Sequence, residues 1–110
     1  MKPATLLKHA RKLINKGWCQ RALARDAFGR HCDVEAKDAT SYCILGALYA
    51  ANLNFGGNYD TCETSLSTLS IILDRENKGS YGLSGYNDAT GRTKKEILSL
   101  FDQAITELGK

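Results

Sequence analysis

The chain has 110 residues, 43% of them apolar and 25% charged, with four cysteines and a formal net charge of +3. That size fits one domain with one core, and the composition excludes disorder and low-complexity architecture. No apolar run approaches the roughly 20 residues of a membrane span, so a single domain over residues 1–110 with no membrane partner is expected.

Residues 3–16 spell an amphipathic helix. Leu6, Leu7, Ala10, Leu13 and Ile14 recur at the spacing of one helical face. Pro3 suits the first turn, and Gly17 suits a left-handed position just past the end. Lys8, Lys12 and Lys16 follow every fourth residue as a separate basic ridge, with Arg11 beside it. Lys8, Arg11 and Lys12 also break the apolar run that a signal peptide would need. A cytoplasmic protein with free thiols at Cys19, Cys32, Cys43 and Cys62 is therefore expected.

Trp18 is expected to fold back over the first helix. Residues 19–25 satisfy both helical and extended periods, and Asp26–Gly29 reads as a turn, with Gly29 free to adopt positive φ. A short β-hairpin near residues 19–34 fits that pattern. Residues 38–52 predict a second helix, starting near Asp38 or Thr40 and central to the fold. Its small residues Ala39, Cys43, Gly46, Ala47 and Ala50 share one side and would admit another backbone. Gly56 and Gly57 mark a loop, with Asp60 capping a third helix that runs to about Glu76. Residues 77–91, with four glycines, read as a long loop. Thr93 and Glu96 form a capping box ahead of a last helix that ends at Gly109. The expected fold is all-α: a small four-helix bundle with Gly-rich loops.

Gly17-Trp18, Asp26 followed by Gly29, Cys43-Ile-Leu-Gly46-Ala47-Leu48 and Asn87-Asp88 occur in that order. This set resembles an uncharacterised family of bacterial and phage domains of unknown function, with a GW start, a C-x-L-G-A-L helix and a late aromatic-N-D element. Here Tyr86 holds the aromatic position, and the resemblance extends from Gly17 to the end. It implies a bacterial or phage setting, in which small orphan domains often act by binding. It brings no activity and no cofactor.

The chemistry-bearing residues form no complete catalytic set. Cys43, read as lying early in a helix, would have its thiolate favoured by the dipole. A cysteine enzyme also needs a histidine in reach, and only His9 and His31 exist. The bland reading of Cys43 is a small buried packing residue. No C-x-x-C or H-x-x-x-H pair points to a metal, and His31-Cys32 reads as a loop dipeptide. Asn87 and Asp88 read as turn-fixing residues, and Trp18, Asp26, Gly29 and Cys43 likewise as structural.

Binding is the expected activity, with no catalytic residue, metal or cofactor. Residues 1–32 carry eight Lys or Arg against one acid, Asp26, and residues 33–110 carry seven against eleven, so +7 and −4 make up the +3. That split can steer an acidic partner. Tyr59, Tyr81 and Tyr86 lie beside glycines and read as anchors for a protein partner. The expected function is a small protein-binding inhibitor or modulator, engaging through Lys8, Arg11, Lys12, Lys16, Tyr59, Tyr81, Tyr86, Arg92, Lys94 and Lys95. A nucleotide or small anion at Arg92–Lys95, stacked on Tyr81 or Tyr86, is the alternative. A phosphate-directed nucleic-acid accessory and a Cys43 enzyme rank below it.

Overall fold

Helix α1, Pro3–Lys16, forms as its spacing predicts, and the computed structural model, which describes residues 1–109, buries Leu6, Leu7, Ala10 and Ile14 along one face. Gly17 follows with an extended backbone, φ −169°, and not the left-handed one expected. Glycine is needed there for space, because a Cβ would lie 2.1 Å from the Thr40 carbonyl oxygen.

The hairpin near residues 19–34 is present. β1, Ala24–Asp26, pairs antiparallel with β2, His31–Cys32. Its turn is pinned by one carboxylate. Asp26 Oδ1 accepts from the N–H groups of Phe28 at 2.9 Å and Arg30 at 3.0 Å, and Oδ2 accepts from Arg30 Nε at 2.9 Å. Gly29 takes φ +78°, which closes the turn without strain. The Arg30 N–H holds the Asp26 carboxyl below its ordinary range, helped by the Phe28 N–H and the Arg30 guanidinium and opposed by burial. A lowered folded value means that the stabilisation is complete above the ordinary aspartate pKa of about 3.9, then lost as pH falls through the folded value. The melting temperature should therefore drop on acidification below about pH 4, and Asp26→Asn should show a shallower drop over that window. Equal acid slopes for both proteins in thermal melts would refute this.

Residues 39–42 do not start the second helix. They form β3, Ala39–Tyr42, which pairs with β1 on the side away from β2, so the sheet order is β2-β1-β3. Thr, Ser and Tyr are weak helix formers, and the pairing with β1 outweighs the local cap chemistry of Asp38 and Thr40. Helix α2 is Ile44–Asn54, and Cys43 is its N-cap.

Helix α3, Tyr59–Arg75, is capped by Asn58 and not by Asp60: Asn58 Oδ1 accepts from the Thr61 N–H at 2.8 Å. The expected loop at 77–91 holds a short helix, α4, Gly82–Asp88, which turns Leu83, Tyr86 and Asn87 inward at helical spacing. Its glycines hide that spacing in the sequence. The capping box of Thr93 and Glu96 opens α5, Lys94–Leu108, as expected.

The fold is therefore mostly helical but is not a four-helix all-α bundle. Five helices surround one core, with a small antiparallel sheet at the end where α1 gives way to the hairpin. α1 packs against α2, α3, α5 and β3, and so shares the central place expected of the second helix. Phe101, Leu48, Leu69, Ile72 and Ile97 are fully buried around it.

Candidate functional site

Of the ordered residues singled out in the sequence, Trp18, the start of the Cys43–Leu48 segment and Asp88 meet at Asn87, while Asp26 and Gly29 stay in the hairpin turn. This side chain is 1% exposed and uses both ends of its amide. Its Oδ1 accepts from Trp18 Nε1 at 2.9 Å and from the Ile44 N–H at 3.2 Å. Its Nδ2 donates to the Cys19 carbonyl at 3.1 Å and to Asp88 Oδ1 at 2.9 Å. One residue of α4 thus fastens the segment after α1 and one of the unpaired amides at the start of α2. Asp88 Oδ1 also accepts from the Arg21 N–H at 2.9 Å, and Gln20 Nε2 donates to the carbonyls of Asn87 and Ala89. Arg21 is held at φ +63°, a conformation that non-glycine residues adopt at a cost and that the Asp88 carboxylate supports.

Beside this junction is a cleft of about 180 Å³, lined by Ala22, Leu23, Cys43, Leu45, Ser84 and Asp88 among others. Leu23 crosses directly over Gly46, and its carbonyl accepts from the Cys43 N–H at 3.2 Å. From the cleft an apolar strip continues along α2. Leu45, Tyr49 and Leu53 follow at i, i+4 and i+8, with Tyr49 37% and Leu53 56% exposed, and Leu23 is 45% exposed at the cleft end. α2 carries no charged residue. A helix expected at the centre of the fold concealed Leu45 and Tyr49, Leu53 lies just past its expected end at 52, and Leu23 lies in the segment open to both helical and extended readings. The signal available in sequence was the recurrence of large residues at 45, 49 and 53 opposite the small ones.

Cys43 lies in the cleft wall as a cap. Its sulfur accepts from the Gly46 N–H at 3.3 Å. Burial pushes its thiol above the ordinary value and outweighs the Gly46 and Leu45 amides that act in the other direction. Among the described residues no histidine bonds to it: His9 stacks on Phe55 with ring centroids 3.8 Å apart, and His31 is exposed in β2. The geometry offers a capped thiol with no base.

The other expected binding residues fall into three places. Lys8, Lys12 and Lys16 are exposed along α1, whereas Arg11 pairs with Asp102 at 2.6 Å. Arg92 is folded inward, its guanidinium 3.7 Å from the centre of the Tyr86 ring, donating to the Tyr86 carbonyl and pairing with Glu96 at 2.8 Å. Tyr86 is buried, and the first amides of α5 are partly taken by the capping box. Lys94 Nζ donates to the Asn15 carbonyl at 3.0 Å, and Lys95 is exposed beside it. Tyr59 and Tyr81 are exposed on separate elements, at the start of α3 and ahead of α4. The structure does not gather these residues into one site. A wider depression near Arg75 and Asp102, about 740 Å³, is rimmed by carboxylates already paired with arginines.

The four cysteines are free thiols, and no helix is long and apolar enough to cross a membrane among the described residues. No curated protein and no solved structure matches the chain. A family model does match, over residues 1–107, and the chain belongs to that family of unknown function, DUF6197.

Proposed function

We propose that this protein is a small protein-binding module, an inhibitor or modulator working in a bacterial or phage cytoplasm, and that it binds through the cleft and the α2 strip. The observation that carries the reading is the exposed apolar line of Leu23, beside the cleft, with Tyr49 and Leu53 on a helix without charge, joined by the half-buried Leu45. Interface cores are depleted in charge and enriched in aromatic and apolar anchors set beside pockets. The partner that fits is an apolar helix face or strand that inserts one aliphatic side chain into the cleft. Four free thiols agree with a reducing compartment.

The test is a tagged pull-down with variants that spare the core. A protein recovered by the wild type should be lost with Leu53→Asp and with Leu23→Asp. It should be kept with Ile71→Asp, which alters an equally exposed apolar residue on α3. Recovery that ignores all three substitutions, or is lost equally with each, would remove the reading.

A further inference from the structure

We propose that the outer face of α1 binds the phosphate backbone of a nucleic-acid duplex without reading its bases, at a surface separate from the α2 strip. Lys8, Lys12 and Lys16 are exposed at i, i+4 and i+8, a straight line of about 12 Å at 1.5 Å per residue. Lys94 extends the line, because its Nζ donates to the Asn15 carbonyl and so sits beside the end of α1. An ammonium has three donors, which leaves two of them for a ligand.

What distinguishes this face is a row of like charges with no acid on the same helix. Arg11, Arg30, Arg75, Lys78 and Arg92 each pair with a carboxylate, whereas among the described residues Lys2, Arg21, Arg25, Lys37, Lys94 and Lys95 have no salt bridge, so what sets α1 apart is the row and not the lack of partners. Among the described residues Lys8, Lys12 and Lys16 pair with none, and α1 contains no acidic residue at all. Two like-charge i, i+4 steps cost an isolated helix a few tenths of a kcal/mol each. A face that is merely solvated avoids that cost by alternating signs. The dipole of α1 accounts for Lys16 and Lys94 at its C-terminal end, but not for Lys8 and Lys12 in its middle.

The composition of the face selects the ligand. Thr5 and Asn15 are its other exposed residues, and neither is apolar. A membrane-surface helix needs greasy residues to bury. Protein interfaces are depleted in lysine and enriched in aromatics. Single-stranded nucleic acid is held by aromatic stacking platforms. Lysines and small polar donors in a row are the complement of a phosphate backbone.

Titration of a fluorescein-labelled mixed-sequence DNA duplex by anisotropy tests this. Between about 50 and about 200 mM salt, log K against log salt should fall with a slope of about −3 to −4, from roughly 0.9 per lysine engaged. The triple variant Lys8→Gln/Lys12→Gln/Lys16→Gln, its fold checked by circular dichroism, should flatten the slope to about −1 and weaken binding at about 50 mM salt more than tenfold. Lys37→Gln, in the loop after β2, should change little. No binding at low salt, a slope unchanged in the triple variant, or stronger binding to polyglutamate or phosphatidylserine vesicles than to the duplex would each overturn the proposal. None of those outcomes touches the α2 strip.

Discussion

Asn87→Ala is expected to destabilise the protein by about 3–5 kcal/mol, more than any other single polar substitution in the chain. The amide joins Trp18, Cys19 and Ile44 to α4 and is 1% exposed. Truncation would orphan the Ile44 N–H and the Cys19 carbonyl, and each buried unpaired group costs about 1–3 kcal/mol. For a chain of this size the melting temperature should fall by roughly 10–20 °C. Trp18 is the only tryptophan, so the loss of its partner should also appear as a red-shifted emission. Asn87→Asp separates the two halves of the amide. It keeps an acceptor for Trp18 and Ile44, removes the donor to Cys19, and sets a second carboxylate against Asp88. Its stability should therefore be low at neutral pH and should partly recover when the carboxylates are protonated. An alanine variant that melts within about 1 kcal/mol of the wild type would show that the junction is ornamental.

Sequence legibility ended where tertiary contacts decided the structure. α1 and α5 were readable because each has an apolar stripe and local end signals, Pro3 for one and the Thr93–Glu96 box for the other. The Asp26–Gly29 turn was readable for the same reason, since its bonds are local. β3 was not, because its partner Ala24–Asp26 lies well back in the chain and no pattern within Ala39–Tyr42 announces it. α4 was hidden by Gly82 and Gly85, although Leu83, Tyr86 and Asn87 hold the right spacing. For the site, the ordered residues were visible one by one. Their meeting at Asn87 was not, since Trp18 is 69 positions away in sequence. The Arg92–Lys95 anion reading rested on free groups at a helix start. In the fold, Glu96 and the Tyr86 carbonyl engage Arg92, and Tyr86, one of the two rings expected to stack on a base, is buried.

The second large effect should come from Gly46→Ala, and here two principles oppose each other. Helix propensity alone favours alanine over glycine in a helix by about 1 kcal/mol. The packing forbids it. A Cβ at position 46 would lie 1.8 Å from the Leu23 carbonyl oxygen and 2.7 Å from its carbonyl carbon. Both are backbone atoms, so no side chain can rotate away. Either α2 or the strap at Ala22 and Leu23 must move. The strap is held by the Cys43 N–H to the Leu23 carbonyl, and β1 follows directly after it. Overpacking of this kind typically costs about 1–3 kcal/mol, and contact with immobile backbone belongs at the upper end, so a net loss of about 2 kcal/mol is expected. Gly56→Ala is the matched control. Its Cβ would meet nothing within 4 Å, but its φ of +71° leaves a strain of about 1–2 kcal/mol. The two variants should separate by mechanism as well as size. Gly46→Ala should perturb Trp18 emission and abolish partner capture through the displaced Leu23, while Gly56→Ala should lower the melting temperature with both unchanged. A Gly46→Ala protein more stable than the wild type would mean that the strap yields freely, and then the cleft it walls would have no fixed shape to offer a partner.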